Sequence, residues 1–119
     1  MTTLERVGGG FTYGLFLFTD IEGSTKLWET APAAMGAALE RHNLVVRAAI
    51  EAAGGYVFAT GGDGFAAAFG RAGDGLAAAL NAQEGLESET WPEGASIKVR
   101  MALHTGEVTE RDGDGLAVP

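Results

Sequence analysis

The stretch LFLFTD, residues 15–20, constrains the fold more than any other part of the chain. An unbroken apolar run of this length, with no polar alternation, reads as a strand covered on both faces. Such a strand lies inside a sheet, so the remaining chain has to supply its neighbours and the helices that cover it. The run ends abruptly on Asp20. Ile21, Glu22, Gly23, Ser24 and Thr25 then lead into a helical pattern.

That pattern places Met35, Leu39, His42, Val46, Ala49, Ile50 and Ala53 on one stripe, with Glu40, Arg41, Arg47 and Glu51 off it. Pro32 suits the first turn, and Gly54-Gly55 stops the helix. Residues 56–60 and 65–69 read as two strands joined by the turn GGDG, which makes a hairpin with Phe65, Ala67 and Phe69 on one face. Residues 72–87 form an Ala/Leu-rich helix with Leu76, Ala79, Leu80 and Gln83 in phase. Ile97, Val99, Met101 and Leu103 alternate with Lys98, Arg100, Ala102 and His104, as in a half-buried strand. TGE, residues 105–107, is expected to bend the chain before a short extension from Val108. The order β-α-β-β-α-β predicts an α+β fold, a ferredoxin-like antiparallel sheet with helices on one face. Residues 1–13 are expected to be a flexible lead-in, and residues 14–119 a single domain.

Composition narrows the function. With 16 acidic against 8 basic residues, the net charge of -8 argues against a general nucleic-acid or anionic-membrane surface. It leaves room for one nucleotide carried in with metal. The absence of cysteine excludes disulfides, thiolate zinc sites and thiol catalysis. No apolar run reaches membrane-spanning length and no signal-type core is present, so a soluble cytoplasmic protein is expected.

An acid closing a buried strand ahead of Gly-Ser-Thr has a physical use. Its carboxylate can hold a divalent cation, and the backbone N–H groups of residues 22–25 can face a polyphosphate at a helix start. Gly23 permits close approach, and Ser24 and Thr25 add hydroxyl donors. The simpler reading is that Asp20 or Ser24 only caps the next helix. Asp63, in the hairpin turn, is alone no more than an Asp-Gly turn residue. The predicted order, however, puts the first strand beside the hairpin, so Asp20 and Asp63 flank one site. Two such acids suit two cations about 3.5–4 Å apart, which orient a nucleotide and activate a hydroxyl for in-line attack.

FTDIEGSTKLWE, GGYVFATGGDGFAAAF and VRMALHTGEV, in that order, resemble the successive blocks of the class III adenylyl/guanylyl cyclase domain, most closely its short bacterial type. The resemblance runs from about Phe16 to the last residue, nearly the whole chain. It implies that Asp20 and Asp63 are the metal carboxylates for two Mg²⁺ or Mn²⁺ ions, with Ile21 lending a backbone carbonyl. It also implies that Glu22, Gly23, Ser24 and Thr25 bind the triphosphate of ATP or GTP. The implied reaction is attack of the ribose 3′-hydroxyl on the α-phosphorus, releasing pyrophosphate, in a site shared across a head-to-tail homodimer. Ala59 stands where the family usually has the lysine that reads adenine, and Asp114 is the nearest match to that lysine's Asp partner. The family's next helix, which carries an Asn and an Arg for the transition state, would begin beyond Pro119, so a domain without its C-terminal part is expected. On those grounds the alternative is a degenerate, non-catalytic module that binds nucleotide or dimerises to regulate a partner.

Other residues carry plainer expectations. His42 and His104 are read as structural, and Phe58, Phe65 and Phe69 as core. Leu27 and Trp28 are expected in packing or a dimer contact, Lys26 on a solvated helix face and Glu107 in a solvated turn. GGDGF also resembles the diguanylate cyclase signature, but Gly64 replaces its Glu. DIEGST with GDG resembles dehalogenase-type phosphatase motifs, but the elements do not alternate as a doubly wound sheet would.

Overall fold

Phe11–Ile21 is a central strand with partners along both edges. The computed structural model describes residues 5–7, 11–111 and 115–117, with side chains from 14 to 106. Its elements are β1 (Glu5–Val7), β2 (Phe11–Ile21), α1 (Ser24–Thr30), α2 (Pro32–Ala52), β3 (Tyr56–Thr60), β4 (Gly64–Phe69), α3 (Ala72–Ser88), β5 (Val99–Arg111) and β6 (Gly115–Ala117). The sheet runs β3-β4-β2-β5-β6, with β1 also on β2, and every pairing is antiparallel. The expected β-α-β-β-α-β order is present as β2, α2, β3, β4, α3 and β5.

The unbroken apolar run of β2 has two different covers. Leu15, Leu17 and Ile21 join Phe65, Ala67 and Phe69 of β4 against α2 and α3 in the main core. Phe16 points the other way and is also fully buried, with Ala68, and the half-buried Phe18 and Phe58 pack against them. There the cover is aromatic: the Phe58 ring meets those of Phe16 and Phe18 edge-on, at centroid distances of 6.2 and 6.5 Å. Each wholly buried large side chain contributes roughly 1.5–3 kcal/mol of burial.

Helix α2 begins with Pro32 in its first turn and buries Met35, Ala38, His42, Val46 and Ile50, one residue per turn. Gly54 follows at φ 77°, a left-handed position that glycine adopts without strain. No helix among the described residues is long and apolar enough to cross a membrane.

Three expectations need correction. Residues 5–7 and 11–13, expected as a lead-in, are paired strand. Residues 105–107 do not bend: β5 continues through them, with Gly106 opposite Gly14 and no Cβ on either side to crowd the ladder. Helix α3 turns a different face to the sheet from the one its periodicity suggests. Gly75, Ala78, Ala79, Ala82 and Leu86 are buried, whereas Leu76 and Leu80 are 50% and 59% exposed. The small residues let the helix axis come close. A Cβ on Gly75 would collide with Leu15, so the helix and β2 approach closely at that point.

Candidate functional site

The register of β2 against β4 sets Asp20 opposite Gly64. Asp63, one residue before β4, therefore lies beside the end of β2, and the Ile21 N–H donates to its carbonyl oxygen at 3.1 Å. The approach is close: a Cβ on Gly64 would run into the Thr19 carbonyl oxygen. The buried Thr19 hydroxyl accepts the Phe65 N–H at 3.0 Å and pins the same point. The hairpin turn closes with Gly62 at φ 67° and a bond from the Gly61 N–H to the Gly64 carbonyl, 3.1 Å. Asp20 and Asp63 are thus brought to adjacent strand ends, as the sequence order implied.

The chain leaves β2 through Glu22 and Gly23, the latter at φ 67°, and enters α1 at Ser24. No side chain caps this helix. The simple capping reading of Asp20 and Ser24 is therefore not what the structure contains. Instead the Ser24 hydroxyl donates to the Asp63 carboxylate at 2.5 Å, across 39 residues of sequence. The first bond of the helix runs from the Leu27 N–H to the Gly23 carbonyl, so the N–H groups of Ser24, Thr25 and Lys26 lie ahead of its ladder. Glu22 departs from expectation: its N–H donates to the Lys98 carbonyl at 2.8 Å and is not free for a phosphate.

Arg100 is the residue that the sequence reading missed. It stands directly opposite Asp20 on β5. Its Nε donates to Oδ1 at 3.0 Å and its second terminal nitrogen to Oδ2 at 2.8 Å, the two-pronged fit of guanidinium to carboxylate. These bonds hold the Asp20 carboxyl below its ordinary value and raise Arg100 above its own. The available signal was a cation among the residues that alternate with Val99, Met101 and Leu103 on β5.

The remaining expectations are met unevenly. Ala59 is exposed on β3, at the point where the β3–β4 register shifts, and β4 separates it from Asp20. Asp114 lies outside the described residues, and so does the side chain of Glu107. His42 is fully buried, with Nδ1 2.9 Å from the Asn43 amide oxygen and its ring against Phe65. His104 and Trp28 are exposed. Lys26 and Lys98, with Glu22, Gly23, Leu27 and Ser96, line an open cleft of about 320 Å³ beside the loop.

Among the described residues no three His, Cys, Asp or Glu side chains gather as a metal cage. Magnesium rarely uses such a cage; it is held by one or two carboxylates plus the phosphates of a substrate. Asp20 and Asp63 fit that donor set, with hard oxygens at neighbouring strand ends.

Residues 15–114 match the Adenylate and Guanylate cyclase catalytic domain, and the chain belongs to that family. It is 37% identical over 102 residues to an adenylate cyclase of Schizosaccharomyces pombe, a match spanning 86% of this chain and 6% of that protein. Among solved structures it resembles the guanylate cyclase domain of RhGC from Catenaria anguillulae, in complex with GTP. There the TM-score is 0.73 and the identity 27%, over 82% of this chain and 58% of that one. A Trypanosoma brucei adenylate cyclase in its monomeric state shares the fold at TM-score 0.80 and 22% identity, over 95% of this chain and 65% of that one.

Proposed function

We propose that this domain forms the metal- and triphosphate-binding part of a nucleotide cyclase. The substrate is ATP or GTP, and the products are the 3′,5′-cyclic nucleotide and pyrophosphate. The observation that carries the reading is the meeting of Asp20 and Asp63 at adjacent strand ends, beside a helix start with three N–H groups ahead of its ladder.

Asp20, Asp63 and the Ile21 carbonyl would hold two Mg²⁺ or Mn²⁺ ions, which when bound polarise the phosphate and favour the ionised hydroxyl. Gly23, Ser24 and Thr25 receive the phosphate oxygens, the glycine by close approach and the other two through backbone N–H groups. Ser24 also steadies the Asp63 carboxylate through its hydroxyl. The ribose 3′-oxygen then bonds to the α-phosphorus, its proton is lost, and the bond from that phosphorus to the pyrophosphate oxygen breaks. On this reading the completed site lies across a homodimer, in the cytoplasm, and serves a signalling pathway.

A second reading draws on Ala59, which has no donor for a base, and on Asp20 being held by Arg100. It makes the domain a regulatory module that binds nucleotide without turning it over. A cyclase assay with Mn²⁺ and either ATP or GTP separates the two. Cyclic product that disappears in Asp20→Ala supports the enzyme. Equal turnover in Asp20→Ala overturns the site, and nucleotide binding without product favours the module.

A further inference from the structure

We propose that Arg100 is a built-in competitor for the metal site, a guanidinium that occupies Asp20 and has to be displaced before a divalent cation can take that carboxylate in full. The inference rests on the metal-binding reading of Asp20 given above.

Both carboxylate oxygens of Asp20 are engaged, at 3.0 and 2.8 Å, by two nitrogens of one guanidinium. A carboxylate has about four lone-pair sites, and the fork takes the pair that a chelating cation would use. A cation approaching the remaining sites meets a full positive charge beside it. Arg100 also lies near enough to Glu22 and Asp63 for their charges to act on it. It therefore offsets part of the negative potential that would draw a cation into this corner.

The competitor is set in place by the sheet. Asp20 and Arg100 are register partners on β2 and β5, so their side chains leave the same face at the same height. The guanidinium does not have to be recruited from a mobile loop. The pair is also solvent-accessible, with side chains 51% and 65% exposed for Asp20 and Arg100. Exposed pairs are weak and screened by salt. Arg100 can therefore be displaced without unfolding anything, as a reversible competitor must be. The consequence is a domain that binds free cations poorly, although it carries the carboxylates for them.

The test is a Mn²⁺ titration of the protein without nucleotide, following free Mn²⁺ by its paramagnetic resonance signal. Arg100→Gln keeps a polar side chain on an exposed strand position and removes the charge. Mn²⁺ binding should tighten by roughly threefold or more, a gain on the scale of an exposed ion pair. The gain should shrink as salt is raised and vanish when Asp20→Asn is added. Binding that still needs Asp20 but is unchanged or weaker in Arg100→Gln overturns the competition while leaving the metal site in place. Absence of Asp20-dependent Mn²⁺ binding in both the parent and Arg100→Gln overturns the competition and the metal site together.

Discussion

Thr19 and Asp20 are chain neighbours with opposite duties. Thr19 points into the core and gives its hydroxyl oxygen to the Phe65 N–H, while Asp20 points out to Arg100. His42 is another residue whose surroundings fix its chemistry. It is buried against Phe65, its Nε2 has no hydrogen-bond partner among the described residues, and burial pushes its pKa below the ordinary imidazole value. The bond to Asn43 and the Asp63 charge act the other way without reversing the shift. An unfolded chain therefore binds a proton at His42 more readily than the folded one. Stability should be flat above the unfolded value and fall as pH drops through it toward the folded value. Urea midpoints measured across about pH 5–8, where imidazoles titrate, should show that slope in the parent and a shallower one in His42→Gln. Identical slopes would remove His42 as the cause. At this scale the sequence was legible where a residue's neighbours are close in the chain. Asp20, Gly23 and Ser24 lie within five residues of chain where β2 hands over to α1, and Asp63 sits in a recognisable turn. The Asp20–Arg100 pair was not legible, because only the register of two strands 80 residues apart brings them together.

Elements repeat the contrast between local and distant causes. The β3–β4 hairpin was readable to within a residue, since its turn glycines and alternating pattern are local signals. Helix α2 was readable because most of its buried side chains are large and all are regularly spaced. Helix α3 misled because alanine and glycine, which look neutral in a hydrophobic pattern, form its buried face. The sheet sets how close that helix comes, and the helix's own sequence does not announce it. The hairpin's last glycine has a sharper requirement than its turn type. A methyl group on Gly64 meets backbone, not a side chain that can rotate away. Gly64→Ala should cost about 2–3 kcal/mol. It should also loosen the Ser24–Asp63 contact, read as a lower thermal midpoint together with weaker Mn²⁺ binding. A thermal midpoint within a degree of the parent would show that β2 and β4 separate more easily than their register suggests.

Across the whole molecule, large apolar side chains are unevenly placed. Leu76, Leu80 and Leu103 are exposed on elements that otherwise pack well, and the solved relatives are longer than this chain, which spans 58% of one and 65% of another. Exposed residues of this kind contribute little to stability. Leu76→Lys with Leu80→Lys should leave the thermal midpoint nearly unchanged while lowering self-association in sedimentation velocity. A large drop in the midpoint would mean that these leucines pack in solution. The double pairing of β2 has a further consequence, for heredity. One residue gained or lost between Leu15 and Ile21 would turn Asp20 toward the helices and bring Thr19 or Ile21 out beside Arg100 and Gly64. A gain in the loop between Glu89 and Gly94 would leave all three strands in step. Lineages descending from this sequence can drift in length at that loop, but across the seven residues from Leu15 to Ile21 they can change only by substitution.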